Sequence, residues 1–281
     1  MARVIAISNQ KGGVGKTTTA INIASCIAAS ERKVLLVDID PQANAGSGLG
    51  IYNNQSNKSM YHVLVEDLPI EEVIHRTELK SLDVAPSSQD LSGAEIELVS
   101  EIGRESRLKD SLESIQASYD FIIIDTPPTL GLITVNALTA SDSVLIPLQS
   151  EYYALEGLSQ LMKTTSLIKK RLNPRLEREG ILLTMYDRRN NLSQQVESEI
   201  RKHFQDEVFE QVIPRNVKLS EAPSYGKPAI LYDYNSTGSL AYIQIANVLL
   251  ERYPGRKKTK ISKRQVTKVR RAVNEGGILN A

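Results

Sequence analysis

The sequence predicts an α/β fold in which a doubly wound, mainly parallel sheet carries helices on both faces. Short runs rich in β-branched residues alternate with longer amphipathic stretches, which is typical of repeated strand–helix units. Residues 121–124 are apolar at every position, as expected of a central parallel strand that helices cover on both sides. A glycine-rich turn at residues 12–15 follows the first β-branched run and precedes a stretch rich in Ala and Ile.

The order of these patterns defines the expected elements. Strands are expected at residues 3–8, 33–38, 82–85, 120–125, 143–147, 181–185 and 208–213. Helices are expected at residues 16–29, 92–116, 154–172, 192–204 and 237–253. The polar residues 53–57 predict a loop, and Pro254-Gly255 predicts the end of the folded body. We therefore expect one domain over residues 1–253 and a tail over residues 254–281.

Composition limits the class of protein. Hydrophobic residues make up 41% of the 281 residues, enough for a substantial core. The single cysteine, Cys26, excludes a disulfide framework and a cysteine-ligated metal cluster within one chain. No apolar run reaches the length of a membrane span, and the first residues are too short for the apolar region of a signal peptide. We expect a cytoplasmic protein.

An eight-residue motif, Lys-Gly-Gly-Val-Gly-Lys-Thr-Thr, occupies residues 11–18. A phosphate-binding loop needs glycines, because its backbone N–H groups must turn toward phosphate oxygens at the positive end of a helix. It also needs a lysine that reaches the β- and γ-phosphates, here Lys16, and a hydroxyl that binds Mg²⁺, here Thr17. ATP and Mg²⁺ are therefore the expected cofactors. The predicted nucleotide-binding residues of the loop are Lys11, Gly12, Gly13, Val14, Gly15, Lys16, Thr17 and Thr18.

Acidic residues end two of the predicted strands. Asp38 and Asp40 follow one apolar run, and Asp125 ends the run at 121–124. In open α/β sheets nucleotide chemistry takes place at the carboxyl ends of strands. There one carboxylate can hold Mg²⁺ and another can orient an attacking water. The alternative is that these are ordinary turn acids.

The phosphate-binding motif departs from the usual pattern, because Gln10 occupies the first glycine position and Lys11 follows it. The resulting string resembles the deviant loop of the ParA/MinD group of ATPases. Residues 214–228, 40–44 and 151–158 are similar to segments of chromosomal ParA (Soj-type) partition proteins. The resemblance covers residues 2 to about 253, and Ala43 stands where the family usually has glycine.

The resemblance implies roles for individual residues. Lys11, which on its own could be a solvated loop charge, would reach across an ATP-dependent homodimer to the phosphates of the other subunit. Asp125 would be the Walker B acid, Asp38 would support the water shell of the metal, and Asp40 would position the nucleophilic water. The implied catalytic residues are thus Lys11, Lys16 and Asp40; the implied metal-site residues are Thr17, Asp38 and Asp125; the implied adenine contacts are Pro214, Asn216 and Met185.

The resemblance also implies partners. Partition ATPases of this type bind DNA without sequence preference as ATP-bound dimers, and a ParB-like partition protein stimulates their hydrolysis. Arg188, Arg189 and Lys218 stand where the family places DNA-binding residues. For each of them an ordinary surface charge is the alternative.

The tail is strongly basic. Residues 252–281 contain ten Lys or Arg and one acid, Glu275, a net charge of +9, which leaves −8 for residues 1–251 in a chain of net charge +1. Polybasic arms attract phosphate backbones. We expect a flexible DNA-binding arm, with docking onto the acidic body as the competing arrangement.

Three other functional classes compete with a partition ATPase. A MinD-like membrane switch would need bulky apolar residues near the C-terminus, where Ile261, Val266, Val269 and Val273 offer little area, so we expect no stable membrane insertion. An iron protein like that of nitrogenase needs two cysteines per subunit, and this chain has one. A kinase-like small-molecule enzyme on the same fold is the third class.

Overall fold

The fold is described from a computed structural model. The structure describes residues 1–52, 58–151, 154–255, 260–261, 265–269 and 273. The loop predicted at residues 53–57 lies outside the described residues, as do Tyr152, Tyr153 and the other positions of the tail.

Within the described residues, seven strands form one sheet in the order β3-β4-β2-β5-β1-β6-β7. Neighbouring strands run parallel except β3, which pairs antiparallel with β4 at one edge. The predicted doubly wound, mainly parallel sheet is confirmed. The strands are β1 (Arg3–Ile7), β2 (Val34–Asp38), β3 (His75–Arg76), β4 (Leu82–Ala85), β5 (Phe121–Asp125), β6 (Ser143–Gln149) and β7 (Glu177–Thr184).

Helices cover both faces of this sheet. Alternate side chains of β1 enter two cores: Val4 and Ala6 pack on one side, Ile5 and Ile7 on the other. Among the described residues, none of the helices combines the length with the hydrophobicity of a membrane-spanning segment. The α-helices are α1 (Lys16–Ala29), α2 (Asn44–Ser47), α3 (Met60–Val65), α4 (Ala94–Glu97), α5 (Arg107–Glu113), α6 (Leu132–Ala140), α7 (Ala154–Arg171), α8 (Asn191–Phe204), α9 (Val217–Glu221), α10 (Ala229–Tyr232) and α11 (Thr237–Arg252).

The strand predicted at residues 208–213 is wrong. This segment runs beside β7 but donates only two backbone hydrogen bonds to it. The N–H of Phe209 donates to the carbonyl of Ile181, and the N–H of Ile213 donates to the carbonyl of Leu183. Four residues of the segment therefore pass two residues of β7. The two additional residues of the segment have no counterpart on β7, so a regular ladder cannot form.

The single helix predicted at residues 92–116 is also wrong. Two short helices, α4 and α5, replace it, and between them Gly103 takes a left-handed backbone with φ 73°. Within this segment Ile96, Val99 and Ile102 are 79%, 62% and 100% exposed. The amphipathic pattern of residues 92–116 was misleading, because these three apolar residues do not face the core.

One buried carboxylate joins four elements at the amino edge of the sheet. Glu179 accepts hydrogen bonds from Ser143 Oγ (2.7 Å), Arg252 Nη1 (2.9 Å), Tyr253 Oη (2.8 Å) and Arg3 Nη2 (3.4 Å). A buried charge of this kind is stable only when it is paired and hydrogen-bonded, as it is here. The start of β1 and the end of α11 are thereby tied together.

The described tail residues lie on the body. Ile261 and Val266 are 7% and 1% exposed and belong to the core on the α1 and α11 side. Val269 and Val273 are partly buried against the same core. The docked arrangement therefore describes these positions better than a free arm does.

Ala43, the departure from the family pattern, adopts a left-handed backbone with φ 52°. We predict that Ala43→Gly increases the free energy of unfolding by about 0.5–1 kcal/mol, since relief of left-handed strain outweighs the added flexibility of the unfolded chain. Urea denaturation measures the change. Ala45→Gly, in the helical part of α2, is the matched control and should destabilise the protein; a destabilised Ala43→Gly would contradict the strain argument.

Candidate functional site

The phosphate-binding motif forms the connection between β1 and α1. Gly13 and Gly15 have φ 74° and 87°, a left-handed conformation in which a side chain would be strained. Gly15 immediately precedes the first turn of α1, whose leading N–H groups have no intrahelical partner. The loop thus has the backbone that a phosphate-binding turn requires.

Two side chains that the sequence analysis missed hold this loop in place. Asn9 is buried; its Nδ2 donates to the carbonyl of Pro147 (2.8 Å), and its Oδ1 accepts from the N–H of Lys11 (3.0 Å). Thr184 Oγ1, at the end of β7, donates to the carbonyl of Val14 (2.8 Å). The position of Asn9 between a strand and a glycine turn was the available signal, whereas Thr184 is distant in sequence.

The strand order brings the predicted acids together. β5 lies between β2 and β1, and Asp125 pairs in register with Asp38 on one side and Ile7 on the other. The N–H of Asp40 donates to Asp38 Oδ1 (3.0 Å), so Asp40 lies in the turn directly beyond. Asp38, Asp40, Asp125 and the loop after Ile7 therefore share the carboxyl edge of the sheet.

The two strand-end carboxylates have different surroundings. Asp38 accepts from the N–H groups of Asp40 (3.0 Å), Ala45 (2.9 Å) and Gly46 (3.4 Å). Burial nevertheless raises the pKa of Asp38 to about 7, although these N–H groups act in the opposite direction. Neither oxygen of Asp125 makes a hydrogen bond of normal geometry to the described residues. Burial, reinforced by the charge of Asp38, raises the pKa of Asp125 well above its usual value.

Lys16 is the buried cation beside these acids. It is 6% exposed, and its Nζ donates to the carbonyl of Lys11 (3.1 Å). Burial lowers the pKa of Lys16, while the charges of Asp125 and Asp40 raise it. A lysine that is removed from water yet flanked by carboxylates is suited to a ligand that brings further negative charge.

The residues present fit a magnesium nucleotide. Asp125 offers two buried oxygens without partners among the described residues, and Thr17 is close enough to influence the pKa of that carboxyl. Oxygen ligands of this type suit Mg²⁺, which usually binds one or two carboxylates together with phosphates. Thr17, Asp125 and, one strand away, Asp38 would hold the ion. Thr18 follows on the first turn of α1.

Lys11 lies at the outer side of the loop. Its Nζ forms an ion pair with Glu151, and the two side chains are 42% and 46% exposed. The sequence analysis did not identify Glu151 as a partner for Lys11. Its position just after β6 places a carboxylate within reach of this half-exposed loop lysine.

The three predicted adenine contacts lie around the end of β7. Met185 follows β7 with φ 49°, and its Cε lies 4.0 Å from where a Cβ on Gly15 would be. Pro214 forms an isolated parallel β-bridge with Tyr186, the residue that follows Met185. Asn216 already caps α9, since its Oδ1 accepts from the N–H of Lys218 (2.9 Å). Its amide nitrogen donates to Thr237 Oγ1 (2.8 Å), so adenine recognition by Asn216 would have to share or replace these contacts.

Of the predicted DNA-binding cations, Arg188 and Arg189 are exposed and Lys218 is half-exposed, and two of the three have acidic partners. Arg189, 90% exposed, makes two side-chain hydrogen bonds to Asp187 (3.0 and 3.1 Å) and holds the pKa of that carboxyl down to about 2. Lys218 pairs with Glu221 (2.8 Å). Arg188 precedes Arg189 and is also exposed. Exposed pairs of this kind contribute little, so these cations remain available to phosphates.

The contrast between the two acids predicts opposite effects of removing their charge. We expect Asp125→Asn to stabilise the nucleotide-free protein by about 1–3 kcal/mol, since it removes a buried charge without breaking a hydrogen bond. Asp38→Asn is the matched control and should destabilise it, because an amide NH₂ would face backbone N–H donors.

The pH dependence of unfolding checks this explanation. The pKa of Asp125 is higher in the folded protein than its value of 3.8 in the unfolded chain. The free energy of unfolding of the wild type should therefore fall as the pH rises from the unfolded-state pKa to the folded-state pKa. The stability gained by Asp125→Asn should therefore be smallest near pH 4. An equal gain at every pH would show that burial of the charge is not its cause.

Comparisons with known proteins agree with this geometry. The AAA domain family matches residues 2–178. The chromosome partitioning protein ParA of Myxococcus xanthus is 58% identical over 252 residues, covering 90% of this chain and 89% of that protein. The sporulation initiation inhibitor protein Soj of Bacillus subtilis is 57% identical over 246 residues, covering 88% and 97%.

A solved structure adds a ligand-bound relative. Cobyrinic acid a,c-diamide synthase from Mycobacterium smegmatis, with ADP and magnesium bound, superposes with a TM-score of 0.80 at 35% identity, covering 94% of this chain and 100% of that one. The sequence matches to the partitioning proteins are the stronger likeness. The chain belongs to the ParA/Soj family of chromosome-partitioning ATPases.

Proposed function

We propose that this protein is a magnesium-dependent DNA-partition ATPase whose ATP-bound homodimer binds DNA without sequence preference. The observation that carries the proposal is the placement of Asp38 and Asp125 at adjacent strand ends beside the glycine loop and Lys16, the first residue of α1. Membership of the partitioning family supports the proposed role in DNA partition.

The chain's own residues divide the work of hydrolysis. The loop N–H groups and Lys16 bind and orient the phosphates, and they stabilise the charge that develops during transfer. Mg²⁺, when bound through Thr17 and Asp125, supplies neutralisation of phosphate charge. Asp40, 7% exposed and fixed by its N–H bond to Asp38, orients the attacking water.

In the proposed homodimer, each subunit supplies its Lys11 to the nucleotide of the other subunit. Lys11 is half-exposed and is held by Glu151, so its ammonium lies at the surface of the monomer. In the homodimer Lys11 leaves or shares Glu151 and contacts the nucleotide of the other subunit. This arrangement makes phosphate neutralisation dependent on assembly.

DNA and a ParB-like protein complete the proposed cycle. Arg188, Arg189 and Lys218 contact phosphate groups, which carry no sequence information. The partner stimulates hydrolysis and so releases the protein from the nucleoid in the cytoplasm. The MinD-like alternative is disfavoured, because Ile261 and Val266 are buried against the body instead of being available to a bilayer.

Asp40→Ala tests the switch. We predict that the variant binds ATP and DNA but hydrolyses ATP at least about tenfold more slowly, as expected when one group that orients the nucleophile is removed. It should therefore stay on DNA longer than wild type after free ATP is removed. Phosphate release and DNA dissociation are the measurements.

Asp206→Ala, an exposed acid on the segment after α8, is the matched control and should behave as wild type. Normal turnover in Asp40→Ala would assign that acid a structural role. ATP-independent DNA binding by the wild type would refute the switch itself.

Lys11→Ala tests the assembly step. The variant should bind one nucleotide per monomer with near-normal affinity but lose the ATP-dependent dimer, since the cation acts only across the interface. Light scattering with and without ATP measures this. Lys169→Ala, an exposed lysine on α7, controls for loss of charge, and an intact dimer in Lys11→Ala would contradict the proposed role.

A further inference from the structure

The described residues of the basic C-terminal segment include apolar side chains that pack on the body. Ile261 and Val266 are 7% and 1% exposed, as buried as core residues, and Val269 and Val273 pack against the same cluster. This cluster contains the side chains of α1 and α11. The described part of the segment is therefore an additional layer on these two helices.

Polar contacts fix the position of the segment. The N–H of Ile261 donates to Asn247 Oδ1 on α11 (2.8 Å), and Lys260 pairs with Glu251 near the end of the same helix (2.7 Å). Lys268 pairs with Glu31, which follows α1 (3.2 Å). The segment thus bridges the ends of both helices, with apolar contacts between its polar ones.

The point where the chain leaves α11 is also constrained. Arg32 is 8% exposed and pairs with Asp120 (3.2 Å). A Cβ on Gly255 would lie 1.4 Å from Arg32 Nη1, so glycine allows the chain to pass against this guanidinium. The root of the tail is packed before the basic run begins.

The cations and the apolar residues of the segment are out of phase in the sequence. Val266, Val269 and Val273 recur at spacings of three and four, and so do Arg264, Lys268 and Arg271. Arg264 and Arg271 lie outside the described residues, so the separation of cations from apolar side chains is seen at Lys268 and Val266. Residues 265–269 are helical, and Lys268 is 76% exposed while Val266 is buried.

We propose that the C-terminal segment is a docked DNA-binding element: Ile261 and Val266 hold it on α1 and α11, and its basic residues, the exposed Lys268 among them, bind phosphate groups of duplex DNA. This inference rests on the proposed function for its ligand. The apolar side chains that insertion into a bilayer would need are already buried on the body. The cations of the segment are left to bind a polyanion, and we infer that this polyanion is the phosphate backbone of DNA.

Docking gives these cations an advantage over a free arm. A pre-positioned segment loses less conformational freedom when it binds, so more of its contact energy appears as affinity. The pair between Lys268 and Glu31 does not prevent this, because both side chains are more than two-thirds exposed and such pairs contribute little. Lys268 can exchange Glu31 for a phosphate.

Two full-length variants separate anchoring from charge. The anchor variant, Ile261→Ser with Val266→Ser, keeps every cation. The charge variant, Arg264→Gln with Lys268→Gln and Arg271→Gln, keeps both anchors. The matched control removes three exposed cations on α7: Lys163→Gln, Lys169→Gln and Lys170→Gln.

DNA affinity is measured with ATP at several salt concentrations, and docking is measured by limited trypsin digestion. The charge variant should flatten the log–log salt slope by up to about 2.7, which is 0.9 for each phosphate that its missing cations no longer neutralise, while the α7 control keeps the wild-type slope. In the anchor variant, cleavage in the tail should be at least about tenfold faster, and DNA affinity about three- to tenfold lower. ATP hydrolysis without DNA should be unchanged in all three.

Specific results would overturn the proposal. Wild-type trypsin rates in the anchor variant would show that the segment is not docked. Faster cleavage with wild-type DNA affinity would show that docking contributes nothing to DNA binding. An unchanged salt slope in the charge variant would exclude DNA contact, and a loss of binding to phosphatidylserine vesicles in that variant would indicate a membrane surface instead. If the wild type shows no ATP-dependent DNA binding, the proposed function fails, while the trypsin comparison still decides docking.

Discussion

Burial of ionisable groups at the carboxyl edge of the sheet is the constraint on which the site depends. Asp38 and Asp125 are removed from water side by side, and Lys16 is removed with them. Three backbone N–H groups compensate Asp38, but Asp125 has no comparable support among the described residues. These buried carboxylates therefore carry an electrostatic cost that a metal and a polyphosphate would relieve, which couples ligand binding to folding stability.

Local sequence was sufficient to predict the parts of this site that short-range rules control. The glycine loop needs left-handed backbone at Gly13 and Gly15, and the sequence supplies glycine there. Asp38 and Asp125 end apolar strands, and carboxyl ends of parallel strands meet at one edge of a sheet. The family resemblance then added roles that spacing alone does not specify.

The features that could not be predicted depend on contacts between distant parts of the chain. Thr184 supports Val14 from 170 residues away, and nothing local distinguishes it from other strand-end threonines. Several apolar residues of the segment 92–116 face solvent. The segment 208–213 bulges beside β7 instead of pairing regularly with it. The valines of the tail showed a pattern, but the surface of α1 and α11 that receives them exists only after folding.

The cluster around Glu179 has a practical consequence for imaging and protein engineering. Arg3 stacks on the ring of Tyr253 at 4.2 Å, and both residues bind the same carboxylate, so the two ends of the folded body are neighbours. They meet at the amino edge of the sheet, opposite the glycine loop. A fluorophore attached before β1 would sit next to the root of the tail and away from the nucleotide. Circular permutation that joins these ends would need only a short linker.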